Sequence, residues 1–244
     1  MNSSKIKNAM IFAAGLGTRM RPLTLTTPKP LAKVLDKPLL EYKIEYLKNY
    51  GIEKIIINCH HLAEQVEDYI TKKQYKDIIL VKEDTLLDTG GGLINALEYL
   101  GNEPFFVTNS DTIHIDSDKS GLESMEHLWL NKQNINMDML MLLIEKDRAI
   151  GYKGNGDFNI TADNNLQWQQ DAQDFVYTGL MILDPKVLLP YSDRGKFSLR
   201  DIWIDNTSKS NGVIKNTYAS IFEGSWLHID SVEGIKNAEL TLKN

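Results

Sequence analysis

A glycine-rich stretch near the amino end, Gly15-Leu16-Gly17-Thr18-Arg19-Met20-Arg21, precedes a second basic segment, Thr27-Pro28-Lys29-Pro30-Leu31. Glycine has no Cβ, so the backbone N–H groups of such a turn can approach phosphate oxygens closely. Arg19 offers a planar fork to those oxygens and Lys29 a compact positive charge. Two familiar phosphate motifs are excluded: Met20 stands where a dinucleotide fingerprint has its third glycine, and no Gly-Lys-Ser/Thr of a P-loop follows. Charge points the same way. The first 35 residues hold six Lys/Arg and no Asp/Glu, while the rest hold 21 Lys/Arg against 33 Asp/Glu, a net −12 within an overall −6. An acidic body with one basic segment suits a small anion, whereas a nucleic-acid partner would call for a broadly basic face.

These residues need a scaffold. Residues 8 to 14 read as a buried strand that delivers the glycine turn at its carboxyl end, where open α/β sheets bind ligands. Pro38 to Tyr50 reads as a helix, with Leu39, Leu40, Ile44 and Leu47 on one stripe and Gly51 as its stop. Strands are expected over Lys54 to Cys59, Ile78 to Val81 and Pro104 to Thr108, separated by helices over His61 to Thr71 and about Gly91 to Leu100. Such alternation makes βαβ units and hence an α/β fold with a parallel sheet covered on both faces. The second half is less regular, with strands at Met137 to Ile144, Phe175 to Leu183, Val213 to Phe222 and Trp226 to Ile229. Helices are expected at Leu199 to Asn206 and about Val232 to Leu242. No linker, repeat or low-complexity tract interrupts the 244 residues, so one domain is expected over 1–244.

Composition excludes other classes. With 42% hydrophobic residues, 25% charged and 7 prolines, the chain is neither disordered nor collagenous. A domain of this size buries roughly three quarters of its unfolded surface and needs no disulfide or structural metal. Cys59 is the single cysteine, which favours a reducing cytoplasm. No stretch approaches the roughly 18 apolar residues of a membrane span. Lys5 and Lys7 before Ala9-Met10-Ile11-Phe12-Ala13-Ala14 do not make a signal peptide, because the apolar run is short and leads into Arg19 and Arg21. The run Met137-Asp138-Met139-Leu140-Met141-Leu142 reads as core packing. The adjacent pair His60-His61 has no third ligand close in sequence and is not read as a metal site.

Gly-x-Gly-Thr-Arg with a Pro-Lys-Pro whose lysine lies ten residues beyond the arginine resembles the signature of the sugar-phosphate nucleotidyltransferases. The resemblance implies that Arg19 and Lys29 hold the triphosphate and the sugar phosphate, and that Ala13, Ala14, Gly15, Gly17 and Thr18 bind the nucleotide. It implies that Thr89, Gly90 and Gly91, in Thr89-Gly90-Gly91-Gly92, close over the nucleobase. Asn109-Ser110-Asp111 ends the fourth strand, where the family places a magnesium-binding carboxylate, here Asp111, with Asn109 on the substrate side. Gly154-Asn155-Gly156-Asp157-Phe158, Phe175-Val176-Tyr177-Thr178-Gly179-Leu180 and Gly224-Ser225-Trp226-Leu227-His228-Ile229-Asp230 resemble the subgroup of N-acetylmuramic acid 1-phosphate uridylyltransferases and mannose-1-phosphate guanylyltransferase-like proteins. That similarity implies a Rossmann-like, mostly parallel mixed sheet flanked by helices, the nucleotide-diphospho-sugar transferase fold. A nucleotide-binding half would span about 1–115 and a sugar-binding half about 116–244. Asp157, Thr178 and Gly179 would face the sugar, although Thr178 reads equally as a plain β-branched strand residue. The implied partners are a nucleoside triphosphate and a sugar 1-phosphate, with Mg²⁺ as cofactor. No nucleic acid or membrane is implied, and the protein would be a monomer or small homo-oligomer.

One departure concerns the carboxyl-terminal motif. Relatives have Asp-x-Gly there, whose Asp is a second magnesium ligand; here His228 takes the Asp position and Asp230 the Gly position. Magnesium prefers carboxylate oxygen to imidazole. Either Asp230 substitutes, or the site relies on Asp111, water and phosphates, with Asp230 capping the last helix. The implied reaction is attack of a sugar 1-phosphate oxygen, already an anion, on the α-phosphorus of the triphosphate, so no general base or Ser/His/Asp triad is required. Glu83, in Lys82-Glu83-Asp84, can accept from uracil N3–H or from guanine N1–H and N2–H; overall resemblance favours UTP over GTP. No hexapeptide repeat occurs, so acetyl transfer is not expected. A catalytically silent nucleotide-sugar-binding paralogue is the alternative of another class.

Overall fold

The computed structural model describes residues 5–132, 135–168 and 173–243. Strand β1 (Asn8–Phe12) runs into the glycine-rich loop, then a small ribbon of β2 (Lys33–Val34) and β3 (Lys37–Pro38), then helix α1 (Leu39–Tyr50). Next come β4 (Lys54–Cys59), α2 (Ala63–Lys72), β5 (Ile78–Lys82), α3 (Asp88–Leu100) and β6 (Phe105–Asn109). The later part supplies β7 (Thr112–Ile115), α4 (Gly121–Leu130), β8 (Met139–Glu145), β9 (Ala149–Ile150), β10 (Asn159–Ile160), β11 (Asn165–Gln167) and β12 (Phe175–Leu183). It ends with α5 (Leu199–Asp205), β13 (Val213–Ile221), β14 (Ser225–His228) and α6 (Val232–Lys243). Gly51, with φ 103°, ends α1 as expected. Helix α3 begins three residues before the expected start, at Asp88, so the three glycines lie inside its first turns.

Both halves of the chain share one nine-stranded sheet of order β10-β11-β13-β8-β12-β6-β1-β4-β5. Strands β6, β1, β4 and β5 are parallel, β12 is antiparallel to both β6 and β8, and β13 is parallel to β8. After β1 the chain moves out to β4 and β5 and then returns to the other side of β1 as β6. The crevice at the carboxyl ends of β1 and β6 is therefore the topological switch point, where such sheets take ligands.

Side-chain alternation explains why helices cover both faces. Ala9 and Ile11 of β1, Ile55 and Ile57 of β4, and Leu140, Leu142 and Ile144 of β8 enter one apolar layer under α1, α2 and α4. Met10, Ile56, Met139, Met141 and Leu143 enter the opposite layer under α3 and α5. The methionine run is core packing, Met139 and Met141 on that second face and Met137 on the first. A second, three-stranded sheet of order β7-β14-β9 stands beside the large one, and a smaller apolar cluster joins it to α6 through Ile113, Leu227, Ile229 and Ala238. Strand β14 pairs antiparallel with β7, His228 opposite Thr112, and the Ile229 N–H donates to the Asp111 carbonyl at 2.9 Å. This pairing brings the carboxyl-terminal motif to Asp111.

Beneath that junction α1 buries a lysine. Lys43 is 1% exposed, and its Nζ lies 2.7 Å from His114 Nδ1 and 3.2 Å from Thr112 Oγ1. His114 stacks on Tyr46, with Phe222 edge-on. Burial pushes the Lys43 ammonium down to about 7, against the opposing pull of the Asp111 charge. Between pH 7 and 10.5 the unfolded chain therefore holds a proton that the folded chain has released, and stability rises with pH across that window. Accordingly, the melting temperature of the wild type relative to Lys43→Met should climb between pH 7 and 10 in thermal denaturation. A difference independent of pH would mean that Lys43 stays charged when folded.

Candidate active site

The glycine loop closes on itself before it can bind anything. Gly17 adopts φ +61°, and a Cβ there would meet Lys29 Cβ and Thr24 Cγ2, each at 2.9 Å. Thr24 Oγ1 donates to the Gly17 carbonyl at 2.8 Å. The tight approach lays the Lys29 stem along the loop. A cavity of about 380 Å³ opens at the switch point, in the range of nucleotide-sized sites. Ala13, Ala14, Gly15, Gly17, Thr18 and Arg19 line it together with Lys29, Asn109, Asp111 and Asp230. Thr89, Leu86 and Asp88 line it as well.

Two ion pairs cross this space. Lys29 Nζ lies 2.5 Å from Asp111 Oδ2, with both side chains largely covered, and Arg19 Nη1 lies 2.5 Å from Asp230 Oδ2, with Arg19 73% exposed. Burial alone would raise the Asp111 carboxyl, but the Lys29 ammonium, with help from His228, holds it below the usual carboxylate range. Asp111 Oδ1 is buried and has no hydrogen-bond partner. A buried, ionised oxygen with no donor, in a cavity that a second carboxylate also lines, fits a divalent cation. Asp111 and Asp230 are the two residues that would hold it. Among the described residues no cluster of three or more His/Cys/Asp/Glu is placed to hold a metal. Phosphate oxygens and water would complete its shell, as is usual for magnesium. The cap of α6 belongs elsewhere, since Ser231 Oγ accepts from the Gly234 N–H at 3.1 Å, which leaves the Asp230 carboxylate to the cavity.

Other expected site residues take different roles. Glu83 is 2% exposed and is not on the cavity wall; its Oε1 accepts from Asn58 Nδ2 at 2.7 Å and its Oε2 from the Leu87 N–H at 2.9 Å. Asn58 Oδ1 in turn accepts from the Ala13 N–H at 2.9 Å. The expectation of a base-reading Glu83 is thus corrected: its carboxylate is spent on the scaffold under the glycine loop. Gly90 and Gly91 likewise face away from the cavity, and both N–H groups donate to the Phe197 carbonyl. A Cβ on Gly90 would strike the Phe197 ring at 2.3 Å, and one on Gly92 would meet Asn58 and Glu83. These glycines seat α3 against its neighbours. Thr178 is buried in the sheet, where its hydroxyl donates to the Leu142 carbonyl and its own carbonyl accepts from Trp226 Nε1. Its side chain is a strand residue that does not line a cavity. Gly179 sits in the bulge of β12 against Asn109, whose Nδ2 lies 2.7 Å from where a Cβ would be.

Asp157 lies in a second, broader cavity with Tyr177, Trp168, Trp203 and Arg200. Burial raises its carboxyl, opposed by the Tyr177 N–H at 2.9 Å and the Tyr152 hydroxyl at 3.2 Å. The Tyr152 ring is 6.4 Å from that of His228, which stacks on Trp226, and the His228 charge acts on both Asp111 and Asp157. Sequence reading missed Asn58, Asp88 and Arg200. Asn58 carried a signal, a polar side chain inside the buried run Lys54–Cys59.

Residues 8–152 match the Nucleotidyl transferase family. The chain belongs to that family. An N-acetylmuramate alpha-1-phosphate uridylyltransferase of Caulobacter vibrioides is 30% identical over 243 residues, 97% of each chain. A mannose-1-phosphate guanylyltransferase catalytic subunit beta of Drosophila melanogaster is 42% identical over 110 residues, 43% of this chain and 30% of that one. Among solved structures, a UDP-glucose pyrophosphorylase complexed with UDP-glucose is similar at TM-score 0.78 and 22% identity, over 98% of both chains. HddC from Yersinia pseudotuberculosis complexed with GMP-PN follows at 0.75 and 23%, over 97% of this chain and 100% of that one. The shared architecture is the nucleotide-diphospho-sugar transferase fold.

Loss of even an outer-shell partner costs about 10–100-fold in metal affinity, so losing a direct carboxylate should cost no less. Asp230→Asn is expected to raise the Mg²⁺ concentration for half-maximal activity by about tenfold or more. Its melting temperature should stay near that of the wild type, because Ser231 keeps the cap. An unchanged metal requirement would leave Asp111 as the sole side-chain ligand.

Proposed function

We propose that the chain transfers a nucleotidyl group from a nucleoside triphosphate to a sugar 1-phosphate and releases pyrophosphate, with UTP and N-acetylmuramate 1-phosphate as the preferred pair. The observation that carries this reading is the crossing of the two ion pairs, Arg19 with Asp230 and Lys29 with Asp111, at the switch-point cavity. An entering polyphosphate can draw the exposed Arg19 from Asp230 at little cost, because surface pairs contribute only about 0–1 kcal/mol. Lys29, held beside the glycine loop, neutralises charge between the two phosphates that must approach each other. The sugar phosphate oxygen forms a bond to the α-phosphorus as the bond to pyrophosphate breaks on the opposite side. The nucleophile is already ionised, so the site's task is positioning and charge neutralisation. A divalent cation held by Asp111 and Asp230 would supply further charge neutralisation on the α-phosphate and the leaving group.

Two features support the preferred substrates. The Caulobacter relative matched along 97% of both chains is named a uridylyltransferase. N-acetylmuramate also carries a carboxylate that mannose lacks, and the second cavity offers Arg200, seated 4.6 Å over the Trp168 ring. The GTP and mannose 1-phosphate reading is favoured by the 42% identity with the guanylyltransferase subunit, over 110 residues only. Such chemistry belongs in the cytoplasm, where nucleoside triphosphates are held, and the buried thiol of Cys59 needs no oxidising compartment.

Pyrophosphate release measured over a panel of triphosphates and sugar 1-phosphates tests the proposal. Turnover with UTP and N-acetylmuramate 1-phosphate is expected to exceed that with GTP and mannose 1-phosphate; no turnover with any pair would point to a silent binding protein. Arg19→Ala should lower turnover by at least about two orders of magnitude, the scale of one preorganised charge stabiliser. The fold should persist, because Arg19 is exposed. Asp111→Asn should be nearly inactive while folded, and excess EDTA should abolish pyrophosphate release by the wild type.

A further inference from the structure

The adjacent histidines after β4 remain outside every role given so far. His60 and His61 are each half-buried, and neither lines the cavity. Their rings reach in different directions. His60 Nδ1 lies 2.8 Å from the Glu83 carbonyl, in the segment that follows β5, and His61 Nε2 lies 2.8 Å from the Thr24 carbonyl, in the loop that follows β1. A carbonyl oxygen can only accept, so each of these ring nitrogens carries the hydrogen. The tautomers are fixed as Nδ1–H on His60 and Nε2–H on His61.

Each anchored carbonyl is one step from the cavity wall. Thr24, only 2% exposed, also donates its hydroxyl to the carbonyl of Gly17, which lines the phosphate side. Glu83 holds the Leu87 N–H through Oε2, between the wall residues Leu86 and Asp88. The Glu83 N–H donates to the Cys59 carbonyl, so the tether to β4 is double on that side. On the other side Gln65 Nε2 adds a second bond, to the Thr26 carbonyl at 2.9 Å. Leu62, the residue after the pair, takes φ 53°, and α2 starts at Ala63 and not at His61 as the sequence suggested. Both rings are thereby kept out of the helix, in the turn between the two loops.

We propose that His60 and His61 are positioning residues that fix two segments lining the nucleotide cavity, His61 the phosphate-binding loop through Thr24 and His60 the 83–88 segment through the Glu83 carbonyl. The proposal rests on the nucleotidyl-transfer reading for what the walls hold, and on hydrogen bonds alone for the tether. One neutral hydrogen bond corresponds to about a tenfold change in an equilibrium or rate. A small displacement of a reacting group can cost more.

The two substitutions should therefore separate. His61→Ala moves the loop that carries Arg19, so kcat should fall by about tenfold or more. His60→Ala moves the 83–88 segment, which carries neither Arg19 nor Lys29, so KM for the triphosphate should rise about tenfold while kcat changes little. The side-chain amide nitrogen of Asn stands near the place of imidazole Nδ1, and that of Gln near Nε2. His60→Asn and His61→Gln should accordingly recover most of the loss. Backbone hydrogen exchange supplies a readout that needs no turnover: residues 17–27 should exchange faster only in His61→Ala, and residues 83–88 only in His60→Ala. If the wild type turns over no sugar phosphate, the nucleotidyl-transfer reading fails while the exchange pattern still tests the tether. Alanine variants with wild-type kcat, KM and exchange would overturn the proposal. So would Asn and Gln variants as impaired as the alanine ones, or an exchange increase spread evenly over both segments.

Discussion

A cavity built for a polyphosphate must hold positive charge where no phosphate is yet present, and this chain meets that constraint by pairing each cation with a carboxylate. The two pairs are not equivalent. Lys29 and Asp111 are largely covered by protein, so their attraction is weakly screened and holds Asp111 ionised despite burial. Arg19 is mostly in water, and its bond to Asp230 is of the kind that contributes little. One pair is therefore a fixed part of the architecture, and the other is easily exchanged for a ligand. The unpartnered Asp111 Oδ1 belongs to the same arrangement, because a buried anionic oxygen with one cationic neighbour still has capacity for another.

The rest of the fold serves to hold those charges together. Arg19 and Lys29 arrive from the loop after β1, Asp111 from the turn between β6 and β7, and Asp230 from the end of β14. The small sheet closes the distance of more than a hundred residues between the last two, through the His228 and Thr112 pairing and the Ile229 N–H to Asp111 carbonyl bond. Beneath the glycine loop, the relay from Ala13 through Asn58 to Glu83 and Leu87 links the loops after β1 and β5 through strand β4 by side-chain hydrogen bonds. A relay of this kind leaves no room for a Cβ at Gly92, which is why a helix otherwise suited to alanine carries glycine there.

What the sequence made legible follows from which forces are local. The parallel half was readable because β1, β4 and β6 bury apolar residues on both faces, and the place of Arg19, Lys29 and Asp111 on the cavity lining is what the family resemblance implied. Glu83 shows the limit. Its carboxylate looks available for a nucleobase until Asn58 and the Leu87 N–H are brought to it, and that approach depends on the twist and spacing of three strands. Gly90 and Gly91 show the same limit: the Phe197 carbonyl that takes their N–H groups is more than a hundred residues away, and nothing near them in sequence announces it. Thr178 reads in sequence equally as sugar contact and strand residue, and only the fold shows its hydroxyl donating to the adjacent strand β8.

The carboxyl-terminal motif shows how a departure from a family pattern can still bring a carboxylate to the cavity wall. Strict alternation beyond β14 would put His228 and Asp230 on one face, yet the strand stops at His228. The ring of His228 lies parallel to Trp226, 5.5 Å between centroids, and so faces the Tyr152 and Asp157 side. Ile229 turns into the small apolar cluster, and Asp230, released from capping by Ser231, turns back to the cavity and reaches Arg19. The turn between strand and helix thus delivers a carboxylate to the wall from two residues later than the pattern expects. Asp230 thus brings a carboxylate to the cavity wall, while the ring at position 228 stacks on Trp226 with Tyr152 near it, whose hydroxyl donates to Asp157.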